Sequence, residues 1–161
     1  MKLFVRDETG EYHPATTLTI LTESRSRTRS ALRKGVSITS SETAKDAIAV
    51  KFLNYPEREV FGCLFLDAQH RVIEWKELFF GTINVNTIYP REVVKAALQL
   101  NAASVVFAHN HPSGSIKPSP QDIELTKKLA EILKVIDVKV LDHLIIGDSV
   151  YSMADNGLIT H

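Results

Sequence analysis

The sequence predicts an α/β domain, and three observations carry that expectation. Apolar residues recur at helical spacing in three separate stretches, β-branched and aromatic runs of strand length lie between them, and 161 residues suffice for one ordinary domain but are short for two. With 44% hydrophobic and 24% charged residues the composition is that of a globular chain, which excludes wholesale disorder, collagen-like repeats and a disulfide-stapled mini-protein. The 19 basic and 19 acidic side chains cancel, so no global field draws the chain to nucleic acid or to a membrane surface. Cys63 is the single cysteine, so neither an intrachain disulfide nor a cysteine-based metal site can form, and a reducing compartment is expected. No apolar run approaches the roughly 18 residues of a membrane span. The start, MKLFVRDETG, brings in charge before an apolar run reaches signal-peptide length. A cytoplasmic protein without membrane contact is the expectation.

Along the chain, residues 1–40 are weakly patterned and are expected to form a basic, weakly structured arm, with the ordered domain over 41–161. The run 22–34 sets Arg25, Arg27, Arg29, Arg33 and Lys34 against Glu23 alone. Two readings stand open for it: a weak DNA contact, since clustered cations release counterions from a phosphate backbone, or a solvated or partner-packing segment, since no aromatic is interleaved to stack on bases. From Ser41, expected as an N-cap, the stretch ETAKDAIAVKFLN carries Ala44, Ala47, Ile48 and Phe52 at helical spacing and ends at Tyr55-Pro56. EVFGCLFLD and RVIEWKELFF, joined by the AQHR turn, predict a hairpin. Pro90 opens an amphipathic helix, and ASVVFAH reads as a central strand. After the polar loop NHPSGSIKPS, the longest helix is expected from Pro120 to Val135, with Ile123, Leu129, Ile132, Leu133 and Ile136 as its apolar stripe. VKVLDHLIIGD and SVYSM predict closing strands.

The chemistry gathers around the end of the ASVVFAH strand. His109 and His111 stand at i and i+2, so both imidazoles project to one side and can converge on a metal ion. Past the loop, Ser119 is the expected N-cap of the long helix, Pro120 its first residue and Asp122 its N3 position. The result is His-x-His-x7-Ser-x-x-Asp, a mixed nitrogen and oxygen set that suits Zn²⁺ and leaves a fourth position for water. A site of that kind is catalytic rather than structural, because the ion lowers the pKa of its water to roughly 7. Such hydrolases also need a carboxylate base. Glu59 is a charged residue at the mouth of an apolar strand, where burial without a partner is costly.

These residues carry a resemblance. YPREVVKAALQLNAASVVFAHNHPSG, the Ser-x-x-Asp after it and DHLIIGD resemble the RadC family of the JAB/MPN superfamily, whose JAMM motif marks zinc metallopeptidases; EVFGCLFLD and ELFFGTIN extend the match over about 41–161. The resemblance implies a mixed β-sheet flanked by helices, the cytidine-deaminase-like JAB/MPN fold. It implies one zinc ion on His109, His111 and Asp122 with a bound water, Glu59 as the residue that deprotonates this water, and Ser119 as a hydrogen-bond donor to the oxyanion. It further implies hydrolysis of peptide or isopeptide bonds in a protein or peptide substrate, with ubiquitin-like modifiers a typical target. Full-length RadC proteins usually carry an N-terminal helix-hairpin-helix region, for which forty residues are too few, so the chain reads as a short form and the family's DNA-repair label applies to it less directly.

Other classes stay open. A metal-binding DNA-transaction factor without peptidase activity, or a scaffold that kept the fold alone, would share much of this pattern. Asn110, Pro112, Ser113 and Gly114 are expected to shape the loop, and His143 to be a hydrogen-bonded sheet residue rather than a fourth ligand. Cys63 is expected to be a small buried side chain rather than a nucleophile, and His13, His70 and His161 to face solvent. The contiguous His109-Asn110-His111 does not match the dispersed residues of an HNH nuclease.

Overall fold

A five-stranded mixed sheet forms the centre of the molecule, in a computed structural model that describes residues 1–84 and 86–159. After a small hairpin, β1 (Phe4–Arg6) and β2 (Tyr12–Pro14), come helices α1 (Thr17–Ala31) and α2 (Ser41–Ala49) and a 3₁₀ turn (Val50–Asn54). Then follow β3 (Val60–Leu66), β4 (Val72–Phe80), α3 (Pro90–Gln99), β5 (Ser104–Asn110), α4 (Pro120–Lys134), β6 (Lys139–Ile146) and β7 (Val150–Ser152). The sheet order is β4-β3-β5-β6-β7, and only β5 and β6 pair in parallel. That pair needs a crossover, and α4 supplies it. The expected mixed sheet flanked by helices is what the chain forms, and none of the described helices is long and apolar enough to cross a membrane.

Both faces of the sheet are covered. Phe61, Cys63, Phe65, Val105 and Phe107 pack under α3 and α4, while Val60, Leu64, Leu66, Val106 and Ala108 pack against α2 and the 3₁₀ turn. Every residue of β3 and β5 is therefore buried, which explains why their sequences run apolar without alternation. On β6 an irregularity breaks the alternation: Val105 pairs with Val140 but Val106 with Asp142, so Leu141 is an extra residue. Such a bulge shifts the parity of every later side chain. Val140 and His143 consequently face the same α4 side, although one position is even and the other odd.

Three expectations change. The 1–40 segment is not a loose arm: besides the β1–β2 hairpin it holds the 15-residue α1, whose N-cap Thr16 accepts a hydrogen bond from Thr19 N–H at 3.1 Å. Its inward face is Leu21, Ser24, Thr28 and Leu32, at helical spacing but half polar, so a search for apolar periodicity passes over it. The five basic residues are all exposed; Arg27 pairs with Glu23 at 2.7 Å and Arg25 donates to Asn54 at 3.3 Å. In α2 the N-cap is Ser40, which accepts from Thr43 N–H, while Ser41 donates to Asp155 across the molecule. In α4 the buried face is Asp122, Leu125, Thr126, Leu129 and Leu133. This is the expected stripe rotated by part of a turn, with Ile123, Ile132 and Ile136 only half-buried, because the helix presents its polar Asp122 and Thr126 to the sheet. His13 and His70 are exposed, as expected, though His13 contacts Asp7 at 2.7 Å; His161 lies outside the described residues.

Candidate metal centre

His109 is the penultimate residue of β5 and lies 1% exposed under α4; His111 follows the strand, its N–H donating to Ile146 C=O at 2.8 Å so that it stays aligned with the sheet. The two Nε2 atoms come within 2.9 Å of each other. The loop then turns back through Gly114 (φ +83°), whose carbonyl accepts from Asp148 N–H at 2.8 Å. A Cβ at Gly147 would collide with that same carbonyl, so the two glycines let loop and sheet end meet backbone to backbone. At the far side Ser119 and Asp122 form a reciprocal capping box: Ser119 Oγ accepts from Asp122 N–H at 3.1 Å, and Ser119 N–H donates to Asp122 Oδ2 at 2.7 Å. Asp122 Oδ1 is 3.2 Å from His109 Nε2, and Oδ2 is 3.5 Å from His111 Nε2. The structure thus brings together the three residues expected as ligands, with one ligand atom from each within 4.8 Å of the others.

The donor chemistry fits a divalent cation. His111 Nδ1 lies 2.9 Å from Ser115 C=O, an acceptor only, so Nδ1 carries the proton and Nε2 presents its lone pair to the cluster. Contact with Asp122 raises the His111 imidazole above its ordinary pKa against the opposing effect of burial, with Glu59 adding through its charge. Burial opposes ionisation of Asp122, yet His109, His111 and the Ser119 N–H together hold its carboxyl well below the usual range. A buried carboxylate facing two imidazole nitrogens is a set that Zn²⁺ satisfies.

Glu59 arrives from a different part of the chain. Phe61 pairs with His109 in an antiparallel ladder, so Glu59, two residues before, comes opposite His111, two residues after. Its Oε2 accepts from Ile83 N–H at 2.6 Å, which fixes the carboxylate at the sheet end. Asn110, expected only to shape the loop, faces the other side and clasps the segment that leads to Glu59: its Oδ1 accepts from Val60 N–H at 2.7 Å and its Nδ2 donates to the carbonyls of Tyr55 and Arg58 at 2.9 Å each. Cys63 is fully buried among Phe61, Phe65 and Phe107, and burial pushes its thiol well up, which suits a core residue and not a nucleophile.

His143 is a hydrogen-bonded core residue, as expected, but its partners place it at the centre. Its Nε2 is 2.8 Å from His109 Nδ1 and its Nδ1 is 2.6 Å from Thr126 Oγ1. Burial pushes its imidazole well below the ordinary value, and the neighbouring His109 acts in the same direction. The adjacent polar pair Asp142-His143 inside an apolar strand was the one sequence signal for it.

The family model described as "RadC-like JAB domain" matches residues 38–158. A "UPF0758 protein" of Vibrio cholerae is 49% identical over 124 residues, 77% of this chain and 78% of that protein. Relatives with the same family name in Thioalkalivibrio sulfidiphilus and Marinomonas are 46% and 55% identical over 129 and 108 residues, covering 80% and 66% of this chain. The matched segments are 57% and 48% of those two proteins, so the chain spans about half of their length. A match that takes in the sheet, its helices and all the converging side chains shows that the chain belongs to the RadC-like JAB domain family, within the JAB/MPN superfamily that includes metallopeptidases.

Proposed function

We propose that the protein is a zinc-dependent hydrolase of peptide or isopeptide bonds. The observation that carries this reading is the convergence of His109 Nε2, His111 Nε2 and the Asp122 carboxylate with Glu59 at the same sheet end. His109, His111 and Asp122 would hold the ion, which when bound supplies Lewis acidity and brings the pKa of a bound water to roughly 7. Glu59 is anchored through one oxygen by Ile83 N–H, and among the described residues its other oxygen meets no donor, so it is available to take a proton from the attacking water and to return it to the leaving amine. Ser119 uses an oxygen lone pair to cap α4, and among the described residues its hydroxyl hydrogen meets no acceptor, so it is available to the oxyanion of the tetrahedral intermediate. The substrate class is a protein or peptide, with a ubiquitin-like modifier as one form it takes.

Glu59→Gln keeps the shape and all three ligands. It is expected to retain near-stoichiometric zinc by elemental analysis while cleavage of linear and isopeptide-linked test substrates falls about 10²–10⁴-fold. Undiminished hydrolysis by zinc-loaded Glu59→Gln removes Glu59 from the role, and wild-type protein that takes up no zinc removes the reading itself.

The basic cluster of Arg25, Arg27, Arg29, Arg33 and Lys34 at the molecular surface favours a second reading, a DNA-transaction factor of which the metal centre is a part. Each duplex phosphate that such side chains neutralise adds roughly 0.9 to the steepness of the log–log dependence of affinity on salt. Replacing the five by serine is expected to flatten that dependence in duplex-DNA titrations, and an unchanged slope assigns any DNA affinity elsewhere.

A further inference from the structure

We propose that His143, set by Thr126, is a positioning residue that fixes which ring nitrogen of His109 carries the proton and so presents His109 Nε2 to the metal as a lone pair. This rests on the metal reading above. The polarity of the chain can be followed from its one unambiguous end. Asp122 C=O can only accept, and Thr126 Oγ1 lies 2.6 Å from it, so the Thr126 hydroxyl spends its single hydrogen there. The Met153 thioether at 3.6 Å is a weaker and longer alternative. With its hydrogen committed, Thr126 Oγ1 can only accept from His143 Nδ1, 2.6 Å away. A neutral imidazole with its proton on Nδ1 has an acceptor at Nε2, and His109 Nδ1 at 2.8 Å must then be the donor. His109 Nε2 is left without a proton, pointing at His111 and Asp122.

The reverse polarity fails. If Thr126 donated to His143, His143 Nε2 would donate to His109 Nδ1, the His109 proton would move to Nε2, and the ligand would face the ion with its hydrogen. The Asp122 carbonyl decides between the two, so a single residue contributes a carboxylate to the cluster and, through its backbone, the tautomer of a neighbouring ligand. His111 obtains the same tautomer directly from Ser115 C=O, whereas His109 lies too deep for a loop carbonyl and receives it by relay.

The surroundings hold the relay in place. His143 is 0% exposed, and its ring stands edge-on to Phe61 and Phe107 at 5.6 and 5.8 Å. The extra residue Leu141 in β6 turns His143 onto the α4 side; without it, the strand would present His143 to α2. Thr126 is buried on α4 one turn after Asp122, so the hydroxyl that begins the relay moves with the ligand it serves.

The test uses the full chain with Thr126→Val, Thr126→Ser and His143→Leu, measuring zinc affinity by chelator competition and ring tautomers by ¹⁵N–¹H NMR of the metal-free and zinc-loaded forms. Thr126→Val keeps volume but removes the hydroxyl. It is expected to weaken zinc about 10-fold, the range for an outer-shell partner, with Thr126→Ser restoring affinity and His143→Leu losing about 10–100-fold. Metal-free wild type is expected to show His109 with its proton on Nδ1, and Thr126→Val a mixture of tautomers. Unchanged affinity in folded Thr126→Val, or a His109 proton on Nε2 in metal-free wild type, overturns the proposal. Should His143→Leu fail to fold, the Thr126 pair decides alone. Wild type that binds no zinc overturns the metal reading, and the metal-free tautomers then report separately on the relay.

Discussion

The cap that Ser119 forms and the oxyanion role proposed for it can be separated by substitution. As an N-cap its oxygen accepts from Asp122 N–H, a contact worth about 1 kcal/mol when alanine replaces serine, whereas glycine costs only a few tenths. As an oxyanion donor it needs its hydrogen, which both substitutions remove. Ser119→Gly is therefore expected to melt near the wild-type temperature yet lose about 10²–10³ in turnover, while Ser119→Ala loses similar turnover and about 1 kcal/mol as well. Thermal denaturation together with zinc-loaded turnover checks this, and full activity in Ser119→Gly would leave the residue a cap only. His109, His111, Ser119 and Asp122 were legible in the sequence because strand periodicity and helix capping are local rules that act within a few residues. Glu59 stood out in the sequence only as a charge at the mouth of an apolar strand: its place beside His111 depends on the β3–β5 register, and its role came from the family resemblance. The relay through His143 was hidden further, behind a bulge that changes strand parity.

Among the elements, α2 is fastened to the turn after β7 by side chains far apart in sequence. Lys45 Nζ lies 2.8 Å from Asp155 Oδ2, and Ser41 Oγ donates to the same oxygen at 2.9 Å. The Lys45 ammonium, then the Ser41 hydroxyl, hold the Asp155 carboxyl below its usual range, and Asp155 raises Lys45. A depressed carboxylate stabilises the fold above its unfolded pKa of about 3.9 and loses that contribution as pH falls through the lower folded value. A raised lysine stabilises below about 10.4 and loses its contribution as pH rises through the higher folded value. Because both side chains are partly in water, the pair is worth less than about 1 kcal/mol. Asp155→Asn is expected to unfold at a slightly lower temperature between roughly pH 5 and 9, with the difference closing toward about pH 2; a difference that persists unchanged at that acid end would exclude the ion pair as its cause. The two serines at the start of α2 show the grain of sequence reading at this scale: Ser40 and Ser41 are equally good caps by residue type, and the geometry gives the cap to one and this tether to the other. Likewise α1 escaped the sequence because its buried side is made of Ser24 and Thr28 as much as of leucine.

For the molecule as a whole, the order of strands was not deducible from periodicity, yet it decides what the site contains. β5, flanked by β3 and β6, is the strand on which the centre is built: β3 delivers Glu59, β6 delivers His143, and α4, the connection between β5 and β6, delivers Asp122 and Thr126. The expected ligands all fall in the short span 109–122, while Glu59, just ahead of β3, and His143, within β6, are placed by strands that must first dock on either side. This separates two events in folding time. Closing a short loop costs less chain entropy than pairing distant strands, so on the proposed reading the β5–α4 segment could meet a metal ion before the sheet is complete. On the proposed reading, a chain in which β3 and β6 have not yet docked on β5 would present the candidate ligands without Glu59 or His143 beside them, and hydrolysis would be confined to the finished fold.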